Sequence, residues 1–125
     1  MQVLVVEDDP DVADGLAIIF KLLGHRCHTA ASAADGLAAA SAHSPDIAFI
    51  DLGLPDMSGV ELAVRLRAHR SHGRLYVVAM TGFSPPAESP RSLAAFDEYL
   101  VKPVELETLA ETLARARERR RFAAR

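Results

Sequence analysis

The stretch QVLVVEDDPDVADGLAIIFKLLG, residues 2–24, decides the fold class. Val3 to Val6 are apolar without interruption, the pattern of a strand covered on both faces. Four carboxylates then fall within five positions, at Glu7, Asp8, Asp9 and Asp11. Beyond them the apolar residues recur at helical spacing, with Asp9 placed as N-cap, Pro10 at the first helical position and Gly24 just past the end. A buried strand feeding directly into a capped helix is a βα unit, and the acidic cluster sits at its junction. Carboxylates this close repel one another, so solvent, a helix terminus or a cation must relieve them.

The same alternation continues along the chain. HRCHTA (25–30) reads as a second, shorter strand, and SAADGLAAASAH (32–43) as a helix opened by Ser32 with Asp35 three residues on. DIAFIDL (46–52) is the third strand. Ser58 and Glu61 form a capping box for GVELAVRLRAHR (59–70), and RLYVVAM (74–80) follows as the fourth strand. DEYLV (97–101) is the fifth. A last helix is expected from about Val104, with Leu106, Leu109 and Leu113 facing the core. Apolar strands alternating with helices predict a doubly wound α/β fold with one parallel sheet, and right-handed crossovers leave few topologies.

At 125 residues, half of them hydrophobic, the chain suits one domain spanning residues 1–125 and is too short for two. No window approaches the roughly 20 apolar residues of a membrane helix, and no basic segment leads into a long apolar run, so a cytoplasmic location is expected. Cys27, the single cysteine, reads as a thiol packed in a strand. The net charge of −3 conceals six arginines between residues 115 and 125, a local balance of +5. With no interleaved aromatics they read as a solvated helix end complementing the helix dipole, not as a nucleic-acid surface. His25 and His28 beside Cys27, and His69 with His72, gather no further ligands and read as solvated histidines.

In open parallel sheets a ligand site lies beyond the carboxyl ends of the strands. Glu7 and Asp8 follow strand one, Asp51 ends strand three, Thr81 ends strand four and Lys102 follows strand five, so all five should meet at one edge. Close carboxylates suit a hard cation. Mg²⁺, or Mn²⁺ in its place, takes a few protein oxygens and leaves positions for water and a phosphoryl oxygen. Asp9 is read as turning away to cap the helix, and Asp11 and Asp56 as loop or first-turn charges.

Through VVEDD (5–9), FIDLGLPDMSGVEL (49–62), VVAMTG (77–82) and YLVKP (99–103), essentially the whole chain resembles the receiver domains of bacterial two-component response regulators. The resemblance implies a flavodoxin-like five-stranded sheet in the order 2-1-3-4-5. It also implies that Asp51 accepts a phosphoryl group from the phosphohistidine of a sensor histidine kinase or a histidine phosphotransfer protein. Glu7, Asp8, Asp51 and the backbone carbonyl of Gly53 would hold the metal, while Thr81, Gly82 and Lys102 would contact the phosphoryl group. Mg²⁺ and Lys102 would neutralise the spreading charge, Thr81 would donate a hydrogen bond, and Gly82 would leave room and offer its N–H. Thr81 and Tyr99 would form the switch that passes the signal to a downstream protein or along a phosphorelay, with no direct nucleic-acid or membrane partner. The plain alternative for Tyr99 is a half-buried tyrosine on an outer strand. The Lys102–Pro103 bond can be cis.

Two rivals are weighed. A metal-dependent phosphohydrolase that forms an aspartyl phosphate typically needs a second carboxylate two residues after the nucleophile, where this chain has Gly53. A degenerate receiver acting only as an interaction module would not need the complete set of acceptor, acidic pair, Thr and Lys. The chain is thus expected to be a phosphoacceptor without turnover of external substrates, whether stand-alone or part of a larger regulator. Gly53 cannot orient a hydrolytic water and Phe83 is bulky and apolar, so self-dephosphorylation is expected to be slow. The departure from the family pattern lies in GFSPPAESPRSLAAFDEYL (82–100). Pro90 would break a helix begun at Pro85, so an extended SPPAES segment and a shortened, irregular fourth helix over about residues 90–95 are expected.

Overall fold

The computed structural model describes residues 1–68, 75–82 and 94–123. Five strands, β1 (Gln2–Val6), β2 (Arg26–Ala30), β3 (Ile47–Asp51), β4 (Tyr76–Thr81) and β5 (Glu98–Val101), form one sheet in the order β2-β1-β3-β4-β5. All four pairings are parallel, with Val6 opposite both Ala30 and Ile50, and Asp51 opposite Met80. The helices among the described residues are α1 (Pro10–Leu22), α2 (Ala33–His43), α3 (Gly59–Ala68) and α4 (Leu106–Ala123). The expected doubly wound order is therefore the observed one. The expected SPPAES segment and most of the short helix at about 90–95 lie outside the described residues, as do Phe83, His69 and His72.

Alternation along each strand sends side chains to two apolar layers. Leu4, Val6, Ile50, Val77 and Ala79 point to the layer covered by α2 and α3, where Leu62 and Leu66 pack. Val3, Val5, Phe49, Val78 and Met80 point to the layer covered by α1 and α4, where Leu16, Phe20, Leu109 and Leu113 pack. The Phe20 and Phe49 rings lie 4.9 Å apart at this centre. α2 approaches β1 so closely that a β-carbon at Gly36 would stand 2.9 Å from Val6 Cγ2.

The helix starts obey their local chemistry. Asp9 accepts the Asp11 N–H at 3.0 Å, Ser32 the Asp35 N–H at 3.2 Å, and Ser58 the Glu61 N–H at 3.1 Å. Gly24 ends the α1 region at φ +90°, which a side chain would resist. The last helix departs from expectation: it begins at Leu106, not Val104, and Leu106 is exposed. Its buried face runs through Leu109, Thr112, Leu113 and Ala116, while Val104 packs against the layer from just ahead of the helix.

The arginine-rich end is not simply solvated. Arg115 grips Glu98 through two nitrogens at 3.0 and 2.7 Å, Arg119 pairs with Asp97, and Arg120 reaches Asp46 at 2.8 Å. These carboxylates lie at or just before strand starts, so α4 is tied to the sheet edge opposite the acidic cluster. The histidines also find neighbours: His28 stacks on His43 with centroids 3.6 Å apart, and His25 Nδ1 lies 2.9 Å from the Met1 amino nitrogen. Burial pushes the half-buried Cys27 thiol up to about 11, in keeping with an unreactive packed cysteine. No helix among the described residues is long and apolar enough to cross a membrane.

Candidate functional site

β1, β3, β4 and the turn after β5 deliver their terminal residues to one edge because the strands are parallel and in register. Glu7 continues β1 and is held in line by its N–H to the Ala30 carbonyl, 2.9 Å. Asp51 is the last residue of β3, and the following Leu52 N–H bonds the Met80 carbonyl at 3.0 Å. Thr81 ends β4, and its carbonyl accepts the Lys102 N–H at 2.7 Å, which sets the lysine beside it. The Lys102–Pro103 bond is cis.

Glu7, Asp8 and Asp51 bring one oxygen each within 4.8 Å of one another. Glu7 is 2% exposed and Asp51 8% exposed, whereas Asp8 is exposed, so the cluster is walled on the protein side and open to solvent. Lys102 Nζ hydrogen-bonds Glu7 Oε1 and lies 3.4 Å from Asp51 Oδ1. Asp9 leaves this group to cap α1, but its N–H donates to Glu7 Oε2 at 3.2 Å.

The two buried carboxylates differ in their electrostatics. Burial raises the Glu7 carboxyl above the ordinary range; Lys102 and the Asp9 N–H work against this, and Asp51 reinforces it. Burial pushes Asp51 the same way, but the Gly53 N–H at 3.1 Å, a hydrogen bond from Glu7 and the Lys102 charge outweigh it and hold Asp51 low. The arrangement keeps Asp51 ionised and places the harder-to-ionise carboxyl on Glu7. Lys102 is desolvated, yet Glu7 and Asp51 raise its affinity for its proton. Three convergent hard oxygen donors, one of them destabilised as an anion by burial, suit a small divalent cation such as Mg²⁺.

Of the remaining expected residues, Gly53, Thr81 and Gly82 stand at or just past the strand ends of this edge, and Tyr99 lies within β5. Gly53 is exposed, and a β-carbon there would stand 3.8 Å from Asp51 Oδ1, so a side chain at this position would border the carboxylate. Thr81 is buried at the strand end, and Gly82 is exposed, with no described residue within 4 Å of where a β-carbon would be. Among the described residues, none requires its small size. Tyr99 is half-buried on β5, edge-on to Phe96 at 5.3 Å.

Asp56 was expected to be only a loop or first-turn charge. It accepts the N–H groups of Ala33 at 2.9 Å and Ala34 at 3.1 Å, at the start of α2, and these bonds hold its carboxyl low. Ser58 already caps α3 in sequence, and nothing local to Pro55–Met57 signals a partner more than twenty residues earlier.

With this geometry in view, the chain matches the family model for the response regulator receiver domain over residues 3–114. It is 36% identical over 115 residues to the transcriptional regulatory protein KdpE of Mycobacterium tuberculosis, covering 92% of this chain and 49% of that protein. The chain thus spans about half the length of that curated relative. A CheY-like receiver domain from Methylobacillus flagellatus superposes with a TM-score of 0.86 at 34% identity, covering 93% of this chain and 98% of that one. The response regulator TrrA of Thermotoga maritima, solved in complex with Mg²⁺ and BeF, matches with a TM-score of 0.82 at 25% identity, over 92% of this chain and 97% of that one.

Proposed function

The chain belongs to the response regulator receiver domain family and is a phosphorylation-dependent signalling module of two-component systems, and from this premise we propose that Asp51 is its phosphoacceptor. One observation carries the assignment. Asp51 is a buried carboxylate kept ionised at the end of β3, with Lys102 at 3.4 Å and the Glu7 and Asp8 oxygens within 4.8 Å. An Asp51 oxygen attacks phosphorus, the new O–P bond forms as the bond to the donor histidine nitrogen breaks, and the imidazole leaves with the bonding pair. Positioning and charge neutralisation dominate such a transfer.

Glu7, Asp8, Asp51 and the Gly53 carbonyl would hold Mg²⁺ or Mn²⁺. When bound, the metal neutralises charge on the transferring oxygens. Lys102 supplies a second positive charge from the β5 side, Thr81 donates its hydroxyl, and Gly82 offers its N–H. With a cation on Glu7, the Lys102 ammonium would be free to turn toward the phosphoryl group. Thr81 and Tyr99 then carry the change to a partner as a shift between two arrangements.

The donor in this reading is a sensor histidine kinase or a histidine phosphotransfer protein. The output is a downstream protein contact or onward transfer, in the cytoplasm, with residues 1–125 acting as one receiver unit. Turnover of external phosphate esters is not part of it. Gly53 presents no side chain beside Asp51 to orient water, which favours slow loss of the phosphoryl group.

The test is incubation with acetyl phosphate and Mg²⁺ followed by mass spectrometry. Wild type gains one phosphoryl mass, Asp51→Asn gains none, and neither protein hydrolyses p-nitrophenyl phosphate with turnover. Phosphoryl gain in Asp51→Asn removes Asp51 from its role.

A further inference from the structure

The metal-binding set assigned above comes from two chain segments that the sheet does not hold together to the end. β1 and β3 are paired through Val6 opposite Ile50, but Glu7 and Asp8 lie beyond that pair on one strand and Gly53 lies beyond it on the other. Past Asp51 the second segment is loop. The Leu52 N–H to Met80, the Gly53 N–H to Asp51 and the burial of Leu54 fix its beginning.

Asp56 fixes its far end, through two hydrogen bonds that leave the loop altogether. Both carboxylate oxygens are used, Oδ1 on the Ala33 N–H and Oδ2 on the Ala34 N–H. Ala33 is fully buried, so the α2 side of this tie is fixed in the packed interior, while Asp56 itself is exposed. It lies three residues after Ala30, whose carbonyl accepts the Glu7 N–H at 2.9 Å. A hydrogen-bonded path therefore runs from Glu7 through Ala30 to the start of α2, across to Asp56, and back along the loop to Gly53. α2 already has its own cap in Ser32, which takes the Asp35 N–H. Asp56 takes the N–H groups of the first two helical residues, which Ser32 leaves free.

We propose that Asp56 is a positioning residue for the metal: by tying the loop that carries Gly53 to the N-terminus of α2, it sets the Gly53 carbonyl relative to Glu7 and Asp8. The inference rests on the metal-binding reading of the site. The plainer role is a second helix cap that contributes stability alone. Groups that orient ligands without touching the ion typically govern metal affinity by roughly tenfold or more, whereas a cap does not.

Ser32 separates the two roles, because Ser32→Ala weakens the same helix end without touching the loop. Isothermal titration of the unphosphorylated full chain with MgCl₂ should give an affinity roughly tenfold weaker for Asp56→Ala than for wild type. Asp56→Asn, which retains one acceptor oxygen, should fall between them. Ser32→Ala should lower the melting temperature and leave the affinity unchanged. Wild-type affinity in Asp56→Ala, or in Asp56→Asn if the alanine variant does not fold, overturns the proposal. So does an equal affinity loss in Ser32→Ala, which would make the effect one of stability. If wild type binds Mg²⁺ and gains a phosphoryl group at Asp51 while the Asp56 variants bind equally well, only this inference fails. If wild type binds no Mg²⁺, the site reading fails with it.

Discussion

The Lys102 ammonium lies 3.4 Å from Asp51 Oδ1 while it hydrogen-bonds Glu7 Oε1, so one lysine serves two buried carboxylates. A divalent cation held in the proposed way would compete with the lysine for the same oxygens. Lys102→Met is expected to bind Mg²⁺ at least as tightly as wild type by calorimetry, yet to gain the phosphoryl group from acetyl phosphate more slowly. Weaker Mg²⁺ binding in this variant would show that the lysine organises the carboxylates instead of competing for them.

The opposed shifts of Glu7 and Asp51 set the pH dependence. Burial raises Glu7, so its contribution to stability is present below its unfolded value of 4.5 and is lost as pH rises through the folded value. Asp51 is held low and contributes in the opposite sense, losing its stabilisation as pH falls. A cation held by both would require both to be ionised and would relieve the cost at Glu7. Saturating Mg²⁺ should therefore raise the melting temperature more at about pH 8 than at about pH 5, measured by thermal denaturation. An equal gain at both would show that no proton on Glu7 has to be displaced for the cation to bind in this range.

Asp97 is the hub opposite the site. It accepts from the Val77 N–H at 2.7 Å and from Arg67 at 2.8 Å, and pairs with Arg119. Arg67 also bonds the Ala95 and Leu75 carbonyls. The Asp97 side chain is 8% exposed but its arginine partners are partly in water, so the loss should lie below that of a fully buried pair. Asp97→Ala is expected to cost about 2–3 kcal/mol in urea denaturation while leaving the Mg²⁺ affinity unchanged.

Cys27 should be slow to react. With its thiol raised to about 11, the thiolate fraction at about pH 8 is on the order of a hundredfold below that of an ordinary cysteine. Labelling with a thiol reagent should be correspondingly slow in native protein and rapid in urea. Fast labelling of the native chain would show that β2 opens locally.

Tyr99 should report the switch. Its ring sits edge-on to Phe96 in a half-buried place on β5, three residues before Lys102. A fluorinated tyrosine at this position should shift in ¹⁹F NMR when beryllofluoride and Mg²⁺ are added, and should not do so in Asp51→Asn. An unmoved resonance in wild type removes Tyr99 from the signalling path.

The strands and most helix boundaries were legible in the sequence because their causes are local. Uninterrupted apolar runs such as Val3–Val6 require cover on both faces, and Asp9, Ser32 and Ser58 each cap a helix with N–H groups two or three residues away. The convergence of Glu7, Asp8, Asp51 and Lys102 was legible too, since parallel strands must deliver their carboxyl ends to one edge. Only the tertiary structure decided what depends on distance through space. It turned Leu106 outward, at the first position of α4, and packed Val104 from the turn just ahead of the helix. It paired Arg115, Arg119 and Arg120 with Glu98, Asp97 and Asp46, which a charge count reads as a solvated tail. It set Asp56 on the start of α2, and it raised Glu7 while lowering Asp51. Sequence pattern encodes which groups prefer burial or a helix end, but a carboxylate's partner and its proton affinity depend on how much water surrounds it and which charges fold to within a few ångströms.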